Sequence, residues 1–246
     1  MEEISPSSIS LTPFLNGKLK IFQPEKGYRF GIDSLLLAYF LRLKPGERGL
    51  EACAGCGVVS LISLYRFPKS KVFALEFDKL LVRCLFLNAK ENSFENRLFP
   101  LMGDVLKPPF RENFFDVVFL NPPYFKKGTG RESPYHFENL ARREEAGFLP
   151  ELINALKRVL KNRGRLYLIF TAYRLAELIF LLKNHKIEPK VLRLVHSYPG
   201  AEAKLVLIEG IKGGGEEVRI LPPLYVYEKP SGDYSPEVKA WLKGES

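Results

Sequence analysis

The chain of 246 residues is 46% hydrophobic and carries 37 Lys and Arg against 28 Asp and Glu, a formal net charge of +9. This is enough apolar residue for one sizeable core without requiring two domains, and the positive balance makes a polyanion such as nucleic acid a candidate partner. The three cysteines are too few for a disulfide framework, no apolar run approaches the roughly 18 residues of a membrane span, and MEEISPSSIS lacks a secretion signal's pattern, so a cytoplasmic protein is expected.

In chain order, Asn16-Gly17 stands between Phe14-Leu15 and Lys18-Leu19 and predicts a two-residue hairpin turn. In GIDSLLLAYFLRLKPGE, Asp33 is expected to cap a helix that runs to Leu43 and stops at Pro45-Gly46. Apolar runs then predict strands over 48–52, 71–76, 97–102, 115–120, 165–170, 189–195 and 203–209, with helical patterns near 58–66, 78–92, 142–160 and 172–184. Strands separated by helices imply a doubly wound α/β fold with a mostly parallel sheet covered on both faces. VHSYPGAE joins the last two runs without a helix, which predicts an antiparallel strand near the C-terminal edge. One domain over 1–246 is expected, with a hairpin and helix extension at 1–45 and, after KGGGEE, a tail at 212–246. A ligand is expected outside the carboxyl ends of the strands, where the chain order reverses.

Three strand ends carry acids. LEACAGCG leaves the first strand of the alternation, where Gly55 and Gly57 admit close approach of backbone amides to a ligand. Glu76 follows about 20 residues later, the separation at which an acid accepts the hydroxyls of an adenosine ribose, and Asp104 ends the next strand in position for an adenine edge. Each has a plainer reading: Glu51 as a strand terminator, Glu76 as a helix cap, Asp104 as a turn cap. Cys53 and Cys56 also form a C-x-x-C pair. No second pair completes a zinc site, and neither Cys84 nor His136, His185 and His196 supply ligand spacing, so no metal is expected.

The next strand ends in FDVVFLNPPYFKKG. Here Asn121-Pro122-Pro123-Tyr124 resembles the N-P-P-Y motif of class I S-adenosylmethionine-dependent methyltransferases, Rossmann-like enzymes that act on planar amide or exocyclic amino nitrogens. EACAGCG, Glu76 and Asp104 follow that family's order, with Cys53 where a glycine is usual. The resemblance implies S-adenosylmethionine as cofactor, held by Glu51, Cys53, Gly55, Gly57, Glu76, Asp104 and Asn121. It implies catalysis by Asn121, Pro122 and Tyr124. An adenine amino nitrogen is a poor nucleophile, and two acceptors, the Asn121 side-chain oxygen and the Pro122 carbonyl, can hold its hydrogens as it becomes tetrahedral while Tyr124 stacks on the ring.

The flanks narrow the substrate. IFQPEKGYRFGIDSLLLAYF, ARREEAGFLPELINALKRVLKNRGRLYLIF, LVHSYPGAEAKLVLIEGIKGGG and PPLYVYEKPSGDYSPEV resemble blocks of the bacterial tRNA adenine-N6 methyltransferases that modify the adenosine 3′ of the anticodon of a valine tRNA. That resemblance implies that Tyr28, Arg29, Phe30 and Asp33 close the cofactor pocket; core packing and helix capping are the alternatives for Phe30 and Asp33. Lys126, Lys127, Arg131, Arg142 and Arg143 follow the motif and are candidates for contacts to the anticodon stem-loop, beside the reading of a solvated loop. A second basic run, Lys157, Arg158, Lys161, Arg163 and Arg165, surrounds a helix end and is expected to be structural first. Other N-P-P-Y enzymes, acting on rRNA, DNA or protein glutamine, and a noncatalytic RNA-binding homologue are the alternatives.

Overall fold

The computed structural model describes residues 9–26, 29–122 and 148–245. The chain opens with an antiparallel pair, β1 (Ile9–Phe14) and β2 (Leu19–Pro24). Asn16 and Gly17 take positive φ, 54° and 79°, but so does Leu15, at 49°, and the strands are joined by four residues, Leu15–Lys18, rather than two, with the Lys18 N–H closing the turn on the Leu15 carbonyl at 3.1 Å. Helix α1 (Ile32–Phe40) follows.

The alternation then builds β3 (Arg48–Ala52), α2 (Val58–Arg66), β4 (Lys71–Glu76), α3 (Lys79–Glu91), β5 (Leu98–Met102) and β6 (Phe115–Leu120). After it come α4 (Phe148–Val159), β7 (Leu160–Thr171), a single 3-10 turn, α5 (Leu175–Asn184), β8 (Ile187–His196) and β9 (Ala203–Lys212). Two short strands, β10 (Arg219–Ile220) and β11 (Leu224–Tyr225), precede the last helix, α6 (Pro236–Leu242). Among the described residues the main sheet runs β10-β8-β9-β7-β6-β3-β4-β5, with β11 also on β8. It is parallel except for β9, which pairs antiparallel with both β7 and β8.

Both faces of this sheet are covered, which explains its nearly unbroken apolar runs. In β6, Val117 and Phe119 face a cluster that holds α1, α2, α3 and the hairpin, whereas Phe115, Val118 and Leu120 face α4 and α5. All five are essentially inaccessible, and each such burial contributes roughly 1.5–3 kcal/mol. The chain runs from β3 outward to β4 and β5, then returns to place β6 on the other side of β3. The order therefore reverses between β3 and β6, the position at which open α/β sheets bind ligands.

Three further expectations need correction. Gly31, not Asp33, occupies the N-cap of α1; Asp33 lies in the first turn, and the helix ends at Phe40 because Leu41 turns extended. Strand β7 starts at Leu160 rather than 165: Leu160 pairs with Phe115, and an irregularity around Arg163, at φ 63°, shifts the register before Arg165 pairs with Val117. The segment after 212 is more than a tail. Two of its strands extend the sheet, and α6, capped by Ser235, stacks Trp241 on Tyr39 of α1 at 5.0 Å.

Candidate active site

The loop from β3 into α2 is built on alternate left-handed residues: Cys53 at φ 55°, Gly55 at 57° and Gly57 at 81°. Such backbone costs an L-residue roughly 1–2 kcal/mol, the physical reason a glycine would suit position 53. At Gly57 a Cβ would stand 2.3 Å from Leu85 Cδ2 on α3, so any side chain there would have to displace Leu85 as well as adopt left-handed backbone. The loop is fastened to its neighbour strand by the Ala54 N–H, which donates to the Leu75 carbonyl at 3.1 Å.

Glu76, at the end of β4 and 7% exposed, faces this loop. One carboxylate oxygen accepts the Gly55 N–H at 2.8 Å and the other accepts the N–H groups of Phe77 and Asp78 at 2.7 and 2.9 Å. Capping of α3 falls to Asp78, whose side chain accepts from Leu80 and Leu81, so the helix-cap reading of Glu76 does not hold. Asp104 follows β5, and one of its oxygens accepts the Leu106 N–H at 3.0 Å, the turn-capping geometry. Glu51 is buried within β3, and its carboxylate takes the N–H (2.9 Å) and hydroxyl of Ser60, an otherwise unsatisfied donor in the first turn of α2.

Burial pushes the Glu51 carboxyl up to about 8, against the bonds from Ser60 and with a smaller push from Glu76. Cys53 stands among the three acids: burial raises its thiol, and Glu76, Asp104 and Glu51 raise it further. Cys56 is pushed up to about 12, mainly by burial. Thiols held this far from the thiolate form are poor nucleophiles and poor metal ligands. Among the described residues no three His, Cys, Asp or Glu side chains form a metal-binding group.

Asn121 and Pro122 follow directly on β6, across the reversal point from the β3 loop. Helix α1 reaches the same place, with the Asn121 amide nitrogen 3.5 Å from the buried Ser34 hydroxyl. The structure thus brings Glu51, Cys53, Gly55, Gly57, Glu76, Asp104 and Asn121 to one end of four adjacent strands. Arg29 is exposed, and Phe30 packs edge-on against Phe14 at 5.2 Å beside the core. Tyr28, Tyr124, Lys126, Lys127, Arg131, Arg142 and Arg143 lie outside the described residues.

Sequence reasoning missed the residues that hold this end together. Asn88 of α3 is fully buried; its side-chain oxygen accepts the Phe22 N–H at 2.5 Å, and its amide donates to the carbonyls of Phe22 (3.0 Å) and Cys56 (2.8 Å). It ties the hairpin to the cofactor-type loop. The available signal was its place on the apolar face of α3, in step with Leu81, Cys84 and Leu85. Also missed were Phe77 and Met102, 60% and 63% exposed, one following Glu76 and the other its register partner on β5.

Residues 28–185 match the methyltransferase small domain. A Porphyromonas gingivalis protein called tRNA1(Val) (adenine(37)-N6)-methyltransferase is 30% identical over 189 residues, covering 74% of this chain and 73% of its own. The protein of that name from Dyadobacter fermentans is 25% identical over 86% of this chain and 87% of its own. Among solved structures, a predicted O-methyltransferase from Agrobacterium tumefaciens superposes with a TM-score of 0.71 at 21% identity, covering 87% of this chain and 97% of that one. A SAM-dependent methyltransferase from Aquifex aeolicus gives 0.52 at 16% identity, over 73% and 89%. At these identities the two structures speak for the fold.

Proposed function

The chain belongs to the methyltransferase small domain family, and from that membership we infer that it transfers a methyl group from S-adenosylmethionine to N6 of an adenine in tRNA. The target is the adenosine 3′ of the anticodon of a valine tRNA, the position that the relatives' name specifies. The observation that carries the reading is the meeting of the acid-lined β3 loop and Asn121-Pro122 across the point where the strand order reverses.

The residues present fit the cofactor. Bound S-adenosylmethionine supplies an electrophilic methyl on a sulfonium. Glu76 offers a carboxylate already oriented by three backbone N–H groups, at the strand end where an acid accepts ribose hydroxyls. The loop from Cys53 to Gly57 takes left-handed backbone at alternate residues, the conformation in which glycine lets a ligand approach backbone amides closely. Phe77 and Met102 give apolar surface beside Asp104 for a planar base. Glu76 and Asp104 place carboxylates at one end of a basic chain, which suits a cationic cofactor.

On the substrate side, Asn121 is the acceptor for one hydrogen of the adenine amino group and the Pro122 carbonyl for the other. Both favour the nitrogen as its lone pair leaves conjugation with the ring. Tyr124 stacks on the extruded base, and the cations after it neutralise neighbouring phosphates. An anticodon loop suits this chemistry because its bases are partly accessible, and extrusion costs less than opening a duplex.

Nucleosides from bulk tRNA of a strain lacking the gene test the reading. N6-methyladenosine should disappear from the valine tRNA and return when the wild-type gene, but not one encoding Asn121→Ala, is restored. Unchanged nucleosides would rule out this target.

A further inference from the structure

The end of the sheet opposite the candidate site carries an open cup of about 620 Å³ at the amino ends of β3, β4, β6 and β7, lined by Glu47, Arg48, Lys71, Asp116 and Lys161 around Pro45 and Gly46. Its two carboxylates are already engaged. Asp116 accepts from Lys161 and from the Arg48 N–H at 3.0 Å, and Glu47 accepts from Arg165 at 2.5 Å. Lysines at the rim are not: Lys71 lines the cup, Lys69 adjoins it through its carbonyl, which accepts the Gly46 N–H at 2.9 Å, and Lys44 is exposed beside them. Among the described residues none of these three lysines forms an ion pair.

A second hollow, of about 230 Å³, runs along α4 between the two ends of the sheet. Asp104 and Glu151 mark its upper end; Lys107, Asn154 and Arg158 line the rest. At its foot Arg158 meets Glu112 at 3.4 Å and its carbonyl accepts the Asn113 N–H, next to Phe114, over whose ring Arg48 lies at 4.2 Å. The hollow and the cup share no lining residue; Arg158 at one and Arg48 at the other are linked through Asn113 and Phe114.

We infer that this cup is a second docking surface for RNA, taking backbone phosphates of the tRNA body beyond the stem that carries the methylated base. The inference rests on the tRNA reading above. A shallow, cation-rimmed cup without an aromatic floor suits phosphates rather than bases. The reach is adequate: the six residues of β6 rise roughly 20 Å, along which a duplex presents about a dozen phosphates. The carboxylates that would repel phosphate are the ones already bound by Lys161, Arg48 and Arg165.

Binding of labelled RNA tests this, with Lys69→Glu/Lys71→Glu compared with wild type and with Lys229→Glu/Lys243→Glu, a pair of equal charge change at exposed positions elsewhere. Two RNAs are used, complete valine tRNA and its anticodon stem-loop hairpin. The cup variant should bind complete tRNA about tenfold or more weakly at 0.1 M salt, with the slope of log affinity against log salt reduced by roughly 2, about 0.9 for each phosphate that the protein no longer neutralises. Its affinity for the hairpin should stay within twofold of wild type, and the control variant should bind both RNAs within twofold. An unchanged affinity for complete tRNA, or equal losses with both RNAs or with both variants, would overturn the inference. Methylation of the hairpin by wild type is followed separately: its absence would count against the enzymatic reading and leave the binding comparison intact.

Discussion

At the scale of single residues, acids that look alike in the sequence do different work. Glu76 is preorganised by three backbone N–H groups, so Glu76→Ala should weaken S-adenosylmethionine binding by roughly 1.5–3 kcal/mol, the range for a hydrogen bond to a charged group. Calorimetry checks this, and unchanged affinity in a folded variant would remove Glu76 from the cofactor site. Glu51 instead serves the fold. With its carboxyl raised to about 8, the folded chain holds a proton there that the unfolded chain releases above the ordinary carboxylate range. The native state thus binds more protons between about pH 4.5 and 8, and this group's contribution to stability is full below that window and declines through it as pH rises. Asp116, lowered by Lys161 and Arg48 against its burial, acts with the opposite sign and only in more acidic solution. Glu51→Gln should accordingly flatten the fall in melting temperature between pH 5 and 8. Parallel curves for the two proteins would show that Glu51 is ionised throughout.

Among the elements, α3 has more to do than its amphipathic pattern conveys. It covers the sheet with Leu81, Cys84 and Leu85, and through Asn88 it fixes both the second strand of the hairpin and the loop at Cys56. Asn88→Ala leaves the Phe22 N–H and the Phe22 and Cys56 carbonyls without that partner, at roughly 1–3 kcal/mol for each buried group not otherwise satisfied. We expect a clear drop in denaturant midpoint together with weaker cofactor binding, since the loop loses its anchor; a drop in stability alone would separate the clamp from the site. The strands and helices from 48 to 120 were readable from periodicity because each buries one or both faces against a layer. Asn88 was not, because a polar residue in step with a core face reveals its burial but not its partners, and these lie 66 and 32 residues away. The two-residue strands β10 and β11 are too short to show any period, and the seven residues of α6, PEVKAWL, bury only Val238 and Trp241, too few to mark a helical face.

For the whole molecule, the distribution of charge matters more than its sum. Among the described residues, acids stand at the carboxyl ends of β3, β4 and β5, whereas lysines and arginines line the amino ends of β3, β4 and β7, so charge is unevenly placed along the sheet. Composition gives the sum, and only the strand directions give the separation. The sequence alone also put Asn121-Pro122 and the acids at corresponding ends of strands that prove to be neighbours, and that placement is the basis of the methyl-transfer reading. Its most direct test is a single-turnover assay at saturating S-adenosylmethionine and valine tRNA transcript, followed by digestion and mass spectrometry of the nucleosides. The purified protein should place N6-methyladenosine at the adenosine 3′ of the anticodon and nothing in a transcript carrying guanosine there. Asn121→Ala should lower the rate by about 100-fold or more, the scale of a lost transition-state hydrogen bond, while leaving tRNA and cofactor affinity within a few-fold. Equal methylation of the guanosine transcript, or full activity of Asn121→Ala, would contradict the account.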